Sequence, residues 1–500
     1  MKKLVAVIVA TTAILMFALT AYASDGDLDS SWGGDGVVIS AHTDPSAAYA
    51  IANYPDNRVL VVGSVTDSPS SRILINRFLV DGSPDTTCNN IGQFFDTVND
   101  AVASDVVVLS DGSFVIAGTI QINNKGALFV AKFANTCNFD ATFGNNGIAT
   151  YSAGDGTSAR ALTIQPDGKF IVVGAEYPTV SDSSDQRILV ARFSATGLID
   201  NSFGLNGRFI STANQKGQAQ DVVIDSSGRI VFVGSIVGTV APDAAIVGRL
   251  TNTGSLDTSF AAQGYLINEF NGDPRLNAIA IRPNGNLVAV GTYGGPFPST
   301  QQSPIVVCLT QAGAFDSDCG VNGWTYLPIL NSDIYADDVI VTSDNKILLS
   351  GASDDGTARP IVMRLNHNGT PDSSFATSGT WRGSALIGRV YSMTIQDDER
   401  ILAAGELDTQ GTMSVGVVRL ANTVVTPSTT TTTTTSTTVT SLVTTTSSTI
   451  AADQLPATGR DQNGLMFAVA LFGMGILLMG MRRRALHELR VSSQKSSELT

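Results

Sequence analysis

The chain has 500 residues, 43% of them hydrophobic, and a formal net charge of −14 at pH 7. That length exceeds one ordinary core and calls for several domains or one repeat array. Its 44 Asp and Glu against 30 Lys and Arg exclude the basic face that nucleic-acid binding needs, and say little beyond self-repulsion and solubility.

The chain opens on Met1-Lys2-Lys3, continues as an apolar run from Leu4 to Leu19, and reaches Ala21-Tyr22-Ala23. A basic flank, a short apolar run and a small-x-small site read as a secretory signal peptide, residues 1–23, removed after Ala23. The apolar run is short for a retained membrane span.

From Asp25 to Ala421 one turn recurs seven times. It reads DSSWGGDG at Asp29, DTTCNNIG at Asp85, DATFGNNG at Asp140 and DNSFGLNG at Asp200, then DTSFAAQG at Asp257, DSDCGVNG at Asp316 and DSSFATSG at Asp372. Successive Asp positions lie 56, 55, 60, 57, 59 and 56 residues apart. A fixed period of that size marks a repeat architecture. Each period holds a second landmark: a turn, an apolar run and a Gly, as in DGKFIVVG to Gly174 or NGNLVAVG to Gly291. Its Asp-Gly or Asn-Gly supplies the positive φ of a tight hairpin. A strand-like segment precedes it, as in Ala159 to Pro166, and a third run follows, as in ILVARF to Phe193. A short segment after the turn, such as GVVIS from Gly36, completes four strands per period.

Runs such as Val59 to Val62 and Phe170 to Val173 are unbroken apolar stretches, so both faces of these strands are expected to be buried. Small antiparallel sheets meet that demand when each stands between two neighbours around an axis. The expected fold is therefore all-β, a seven-bladed β-propeller of four-stranded repeats of about 57 residues over residues 24–421. In the turn, the Asp is expected to accept hydrogen bonds from amides two or three residues on. The aromatic at Trp32, Phe143, Phe203, Phe260 or Phe375 is expected to plug the seam between blades.

The four cysteines, in an oxidising compartment, allow three pairings. Cys319 takes an aromatic position of the turn, and Cys308 takes the place of an Arg on the preceding strand. That coincidence favours Cys308 with Cys319 and leaves Cys88 with Cys137. The carboxylates of Asp25-Gly26-Asp27-Leu28-Asp29 superficially suggest a calcium loop. The equivalent Asp81-Gly82-Ser83-Pro84-Asp85 lacks the middle one, and no bidentate Glu closes it. No metal and no cofactor are expected.

Taken in order, the turn, the DG hairpin and the RF or RL strand resemble the delta-60 repeat family of β-propeller proteins, found among bacterial exported and surface proteins. The resemblance runs from Asp25 to Ala421. It departs at the cysteines and at Asp397-Asp398-Glu399, where the last hairpin lacks its Gly. It implies the fold and little chemistry, because propellers host many unrelated functions. Whether one repeat equals one blade, and how the ring closes, stay open at this stage.

After Leu420 the composition changes. Between Thr426 and Ile450, 15 of 25 residues are Thr, with no charge, so residues 422–454 are expected to form a disordered, extended stalk. Fully stretched it would reach on the order of 100 Å. Leu455-Pro456-Ala457-Thr458-Gly459 follows, then a 17-residue apolar run from Leu465 to Met481, then Arg482-Arg483-Arg484 in a tail of residues 482–500. This order resembles the LPXTG cell-wall sorting signal of Gram-positive surface proteins. The run is just long enough for a transmembrane helix, and the arginines would hold the tail in the cytoplasm. The resemblance implies that a sortase cleaves after Thr458 and joins it to peptidoglycan, so this chain would be a sortase substrate displayed at the cell wall. The 16 residues after Arg484 are more than such signals usually carry.

No nucleophile elbow, phosphate loop or paired-His zinc motif is legible. The boxes of propeller sialidases have no counterpart in the hairpins. His42 and His367 are expected at the surface. Arg77, Lys132, Arg192, Arg249, Arg364 and Arg419 recur at one repeat position, either as structure or as a charged ring. The expectation is a non-enzymatic binding or adhesion module with an unidentified extracellular protein or glycan ligand. An enzyme built from loops at the ring mouth, using insertions at Glu176 to Gln186 and Gly294 to Ser303, or a structural surface-layer component, are the alternatives.

Overall fold

A computed structural model describes residues 24–422, except 41, 43, 68–69, 89–99, 180–184, 213–214, 238–242, 271, 295–300, 328–331 and 409–410. The signal-peptide reading, the Thr-rich stalk beyond Asn422, the Leu455–Gly459 motif, the apolar run 465–481 and the basic tail lie outside the described residues. Among the described residues there is no α-helix, and none long and apolar enough to cross a membrane.

Seven antiparallel sheets form a seven-bladed β-propeller. Six have four strands; the first blade has three described strands, Ser46–Asn53, Val59–Asp67 and Ser70–Phe78. Blade 3 shows the pattern. Its inner strand Gly156–Ile164 turns through Pro166-Asp167-Gly168 into Phe170–Tyr177, which pairs with Arg187–Phe193, which pairs with the short outer strand Arg208–Ile210. The middle strands are buried on both faces, as the unbroken apolar runs required.

Among the described residues, the strand after an Asp turn belongs to the three strands before it, so a sequence period is offset from a blade by one strand. That offset leaves the first such strand, Val37–Ser40, without a predecessor. It joins the last blade instead, pairing with Met413–Leu420 from Val37↔Val418 to Ser40↔Val415. The ring closes by this shared blade.

Four of the seams carry the same staple. In blade 3, Asp200 Oδ1 accepts the Ser202 amide at 3.1 Å and its hydroxyl at 2.6 Å, while Oδ2 accepts Arg192 Nε at 2.9 Å. The Arg192 guanidinium lies 4.6 Å over the Phe203 ring and donates to the Asn252 carbonyl of blade 4 at 2.5 Å. The Gly204 amide then reaches the Thr253 carbonyl at 2.8 Å. Arg249 repeats this with Asp257 and Phe260, and Arg364 with Asp372 and Phe375. Arg419 does so across the closure with Asp29, Trp32 and the Val80 carbonyl. The recurring arginines are therefore buried structural cations. They do not form a charged ring.

The aromatic needs a neighbour with no side chain. Gly254 of blade 4 has φ +85°, and a Cβ there would lie 2.8 Å from the Phe203 ring. At the equivalent place in blade 2 stands Cys137, φ 62°, and it is bonded to Cys88, which replaces the aromatic of the blade 1 turn. Cys308 and Cys319 are also bonded, where blade 5 has lost both the strand Arg and the turn aromatic. In both places a covalent bond stands where a ring is packed elsewhere.

Breaking a buried ion pair strands the surviving charge, at about 3–5 kcal/mol. Arg249→Ala is accordingly expected to lower unfolding free energy by about 3 kcal/mol in urea titration, whereas Arg275→Ala, in the exposed pair with Asp243, should cost below about 1 kcal/mol. Equal losses would show that the staple is not the seam's principal support.

Candidate functional site

The seven inner strands pack each against the next and Gly388–Ile395 returns to Ser46–Asn53, so they encircle the axis. Every one carries a β-bulge against its middle strand. The bulged residues are Tyr49, Ser104, Arg160, Gln220, Asn277, Asp337 and Tyr391. An extra residue bends a strand and re-aims its side chain. The glycine that ends each apolar run lies opposite the bulge. At Gly174, Gly234 and Gly291 a Cβ would fall 1.9, 2.0 and 1.8 Å from the carbonyl oxygens of Ser158, Gln218 and Arg275. Glycine at that landmark is what lets the bulge exist.

The bulged side chains reach across the seams around the axis. Ser104 Oγ donates to the Ala159 carbonyl at 3.1 Å, Arg160 to Gln218 Oε1 at 3.3 Å, and Asn277 Nδ2 to the Ala336 carbonyl at 2.8 Å. Asp337 binds Arg389 of blade 7 with both oxygens. Arg389 stands 5.0 Å over Tyr335 and 5.3 Å over Tyr391, and Tyr391 in turn packs 5.6 Å from Tyr49. Tyr391 donates to Glu406 at 2.6 Å. Burial pushes the Tyr49 phenol up to about 12. Burial also works to lower Arg389, but the Asp337 carboxylate outweighs it and holds the guanidinium above its ordinary value. Blades 6 and 7 thus set two aromatic rings against one fixed cation, and blade 1 adds Tyr49 against the second ring.

Immediately after the bulge, blades 2, 4 and 6 bury a carboxyl. Asp105 accepts its own blade's Val106 amide at 2.7 Å and the next blade's Leu162 amide at 2.6 Å. Asp338 does the same with Val339 and Met393, both at 2.6 Å, and Asp221 with Val222 and Ile279. Burial raises all three well above the usual carboxylate range; Asp105 and Asp221 also feel Asp338, and Asp338 feels Asp337. Their work is to latch alternate seams.

Inner strands end in an aliphatic collar at the hairpin side: Val108, Ile164, Ile224, Ile281, Val341 and Ile395, all half-buried. In blade 1 Asn53 interrupts it and donates to the Ile395 carbonyl at 2.7 Å. Third strands run parallel to inner strands, so Leu420, paired with Ile401, ends on this hairpin face. Asn422 Nδ2 donates to the Glu399 carbonyl there at 3.0 Å. The insertions that follow Glu176 and Gly294 leave from the opposite face and fall largely outside the described residues.

His367 is exposed, but His42 is half-buried, with Nε2 lacking a hydrogen-bond partner and burial lowering its pKa. The surface expectation thus holds for His367 and only in part for His42. No group of three or more His, Cys, Asp or Glu side chains among the described residues could hold a metal. The bulged residues were missed from the sequence. The signal was present: aligning the periods on the glycine exposes one column in which the side chains diverge, preceded in every period by an apolar residue.

Residues 55–87, 165–203 and 342–375 match the family described as domain of unknown function (DUF5122) beta-propeller. Each stretch spans a hairpin, two strands and an Asp turn. The chain is similar to propeller proteins. No curated protein matches it. Among solved structures, polysaccharide lyase Uly1 shares 9% identity at a TM-score of 0.48, over 80% of this chain and 98% of that one. The alpha-L-arabinanase of Penicillium chrysogenum complexed with arabinobiose shares 14% at 0.43, over 69% and 98%. Drosophila Semaphorin 1b, extracellular domains 1-2, shares 10% at 0.39, over 79% and 87%. At these identities and scores the likenesses carry no argument about what this chain binds or does.

Two sets of carboxyls pull stability in opposite directions. Against burial, hydrogen bonds from Thr87 and the Arg77 charge hold Asp85 at about 2, and Asp372 sits at about 2 in the same way. A depressed folded pKa gives stability that is present above about pH 4 and lost as pH falls toward 2. The raised carboxyls of Asp105, Asp221 and Asp338 give stability that is present in acid and lost as pH rises through their folded pKa. Melting temperature is therefore expected to peak in the mildly acidic range. Asp221→Asn should lower stability by about 1–3 kcal/mol through a lost amide acceptor and flatten the alkaline limb. Thermal unfolding from pH 2 to 9 reads this, and an alkaline limb unchanged in the variant would count against it.

Proposed function

We propose that this protein is a wall-anchored, surface-displayed propeller that acts as a binding or adhesion module. The observation that carries the reading is the cluster of Tyr49, Tyr335, Arg389 and Tyr391 on the axis, within a ring of seven divergent bulged residues. Aromatic faces beside a fixed guanidinium and polar side chains suit recognition of an extracellular protein or glycan. The bulged column holds Tyr49, Ser104, Arg160, Gln220, Asn277, Asp337 and Tyr391, and that variety at one axial position supports a ligand-facing role.

The exit of the chain supports the display. Ala421 and Asn422 leave from the hairpin face, so a tether would hold that face toward the cell and turn the loop face outward. In this reading a sortase recognises Leu455, Pro456, Ala457, Thr458 and Gly459, and the Thr458 acyl group passes to a peptidoglycan amine. The apolar segment and arginines hold the precursor in the membrane until then.

Residues 24–422 are expected to bind saturably in a glycan-array or pull-down screen, with Tyr391→Ala and Arg389→Gln reducing binding about 10-fold or more. Turnover of a screened polymer without stable binding would favour the enzyme reading. Deleting Leu455 to Gly459 should shift the protein from the wall fraction to membrane or medium, and an unchanged wall fraction would defeat the anchoring claim.

A further inference from the structure

A cavity of about 680 Å³ opens on the hairpin face between the inner-strand ends of blades 4 to 7. Ile224, Ile281, Ile340, Val341 and Ile395 line it with aliphatic surface, and Ser226, Asn284, Thr342 and Ser343 add hydroxyl and amide groups. That volume and that mixture are those of a small-molecule site. One cation sits in the lining, Arg282, which is 5% exposed.

Arg282 exists because blade 5 departs from the staple. Its strand position for Arg is Cys308, bonded to Cys319, so the guanidinium comes instead from the end of the inner strand. There it meets sulfur rather than carboxylate: Nη2 lies 3.1 Å from Cys308 Sγ and 4.0 Å from Cys319 Sγ. Asp316, the turn carboxylate, takes a hydrogen bond from Asn286 Nδ2 at 2.9 Å. Arg282 Nε is buried with no hydrogen-bond partner. A buried guanidinium with one donor unpartnered and another facing sulfur carries a desolvation cost that the Asp316 charge offsets in part and an incoming anion relieves further.

We infer that this cavity is a second binding site, on the face opposite the loops, for a small aliphatic monocarboxylate, whether a free acid or the C terminus of a short apolar peptide. The ligand's carboxylate pairs with Arg282, its aliphatic body lies on the collar, and hydroxyl or amide groups meet the polar rim. One cation matches one negative charge. Asp397 and Glu399 at the rim disfavour dianions such as phosphate.

The test is calorimetric titration of the full chain with isovalerate, N-acetyl-alanyl-alanine, the amide of each, and inorganic phosphate. Saturable binding of either acid, with its amide weaker by about 10- to 100-fold, is the expected result, matching loss of a charge-assisted hydrogen bond. Binding of isovalerate alone identifies a free acid as the source; binding of the peptide acid alone identifies a chain terminus. Arg282→Gln should reproduce the loss and Arg282→Lys should recover part of it. The acid–amide comparison on the unaltered chain stands even where the variants fold poorly. Equal affinity of acid and amide, tighter binding of phosphate, or no saturable binding of either acid would overturn the inference.

Discussion

The ring depends on a staple at the Asp turn, ionic in six blades and replaced by a disulfide in blade 5. A blade of about fifty residues buries too little surface to stand alone, so its neighbours must supply the rest. Arg192 shows how they are held in register. One guanidinium binds its own turn carboxylate, covers its own aromatic and reaches the next blade's carbonyl. Each of these contacts lies at the hairpin face, where strand ends would otherwise leave backbone groups and ring edges unsatisfied. The staple of Arg364 already joins distant parts of the chain: the Ala376 amide meets the Asp25 carbonyl at 2.7 Å. Because N- and C-terminal segments share blade 7, closure adds an ordinary sheet and an ordinary seam.

The deviations follow the same physics. The staple needs a polarisable or apolar plug over a residue that leaves room for it. Where Phe or Trp is replaced by Cys, a disulfide fills the seam. In one case the partner is the residue that is elsewhere Gly, and in the other it is the residue that is elsewhere Arg. The second replacement displaces a guanidinium to Arg282 and changes the chemistry of the central mouth. A structural substitution in one blade has thereby altered a surface that several blades share.

Fold and axial chemistry are coupled through a single glycine per blade. A bulge on the inner strand brings a carbonyl so close to the middle strand that no side chain fits opposite. The bulge aims one residue at the seam around the axis and sets the next where it can be small or a latching carboxyl. Rigid antiparallel strands hold these groups, so the axial ring is positioned by the best-packed part of each blade and not by its loops. Polar groups that would be costly in a core are tolerated there because neighbouring inner strands supply partners.

The architecture was legible in the sequence from Asp29 to Asp372, because each landmark answers a local demand: an Asp that satisfies turn amides, an Asn-Gly or Asp-Gly that permits a hairpin, an apolar run that must be buried on both faces. Their period gave the blade count. What only tertiary structure decided were relations between repeats. Sequence could not show that Arg192 serves Asp200 and Phe203 instead of facing a channel, that Val37–Ser40 completes the last blade, or that Tyr49 meets Tyr391. Those contacts join residues one period or almost the whole chain apart, and no local propensity encodes such a distance.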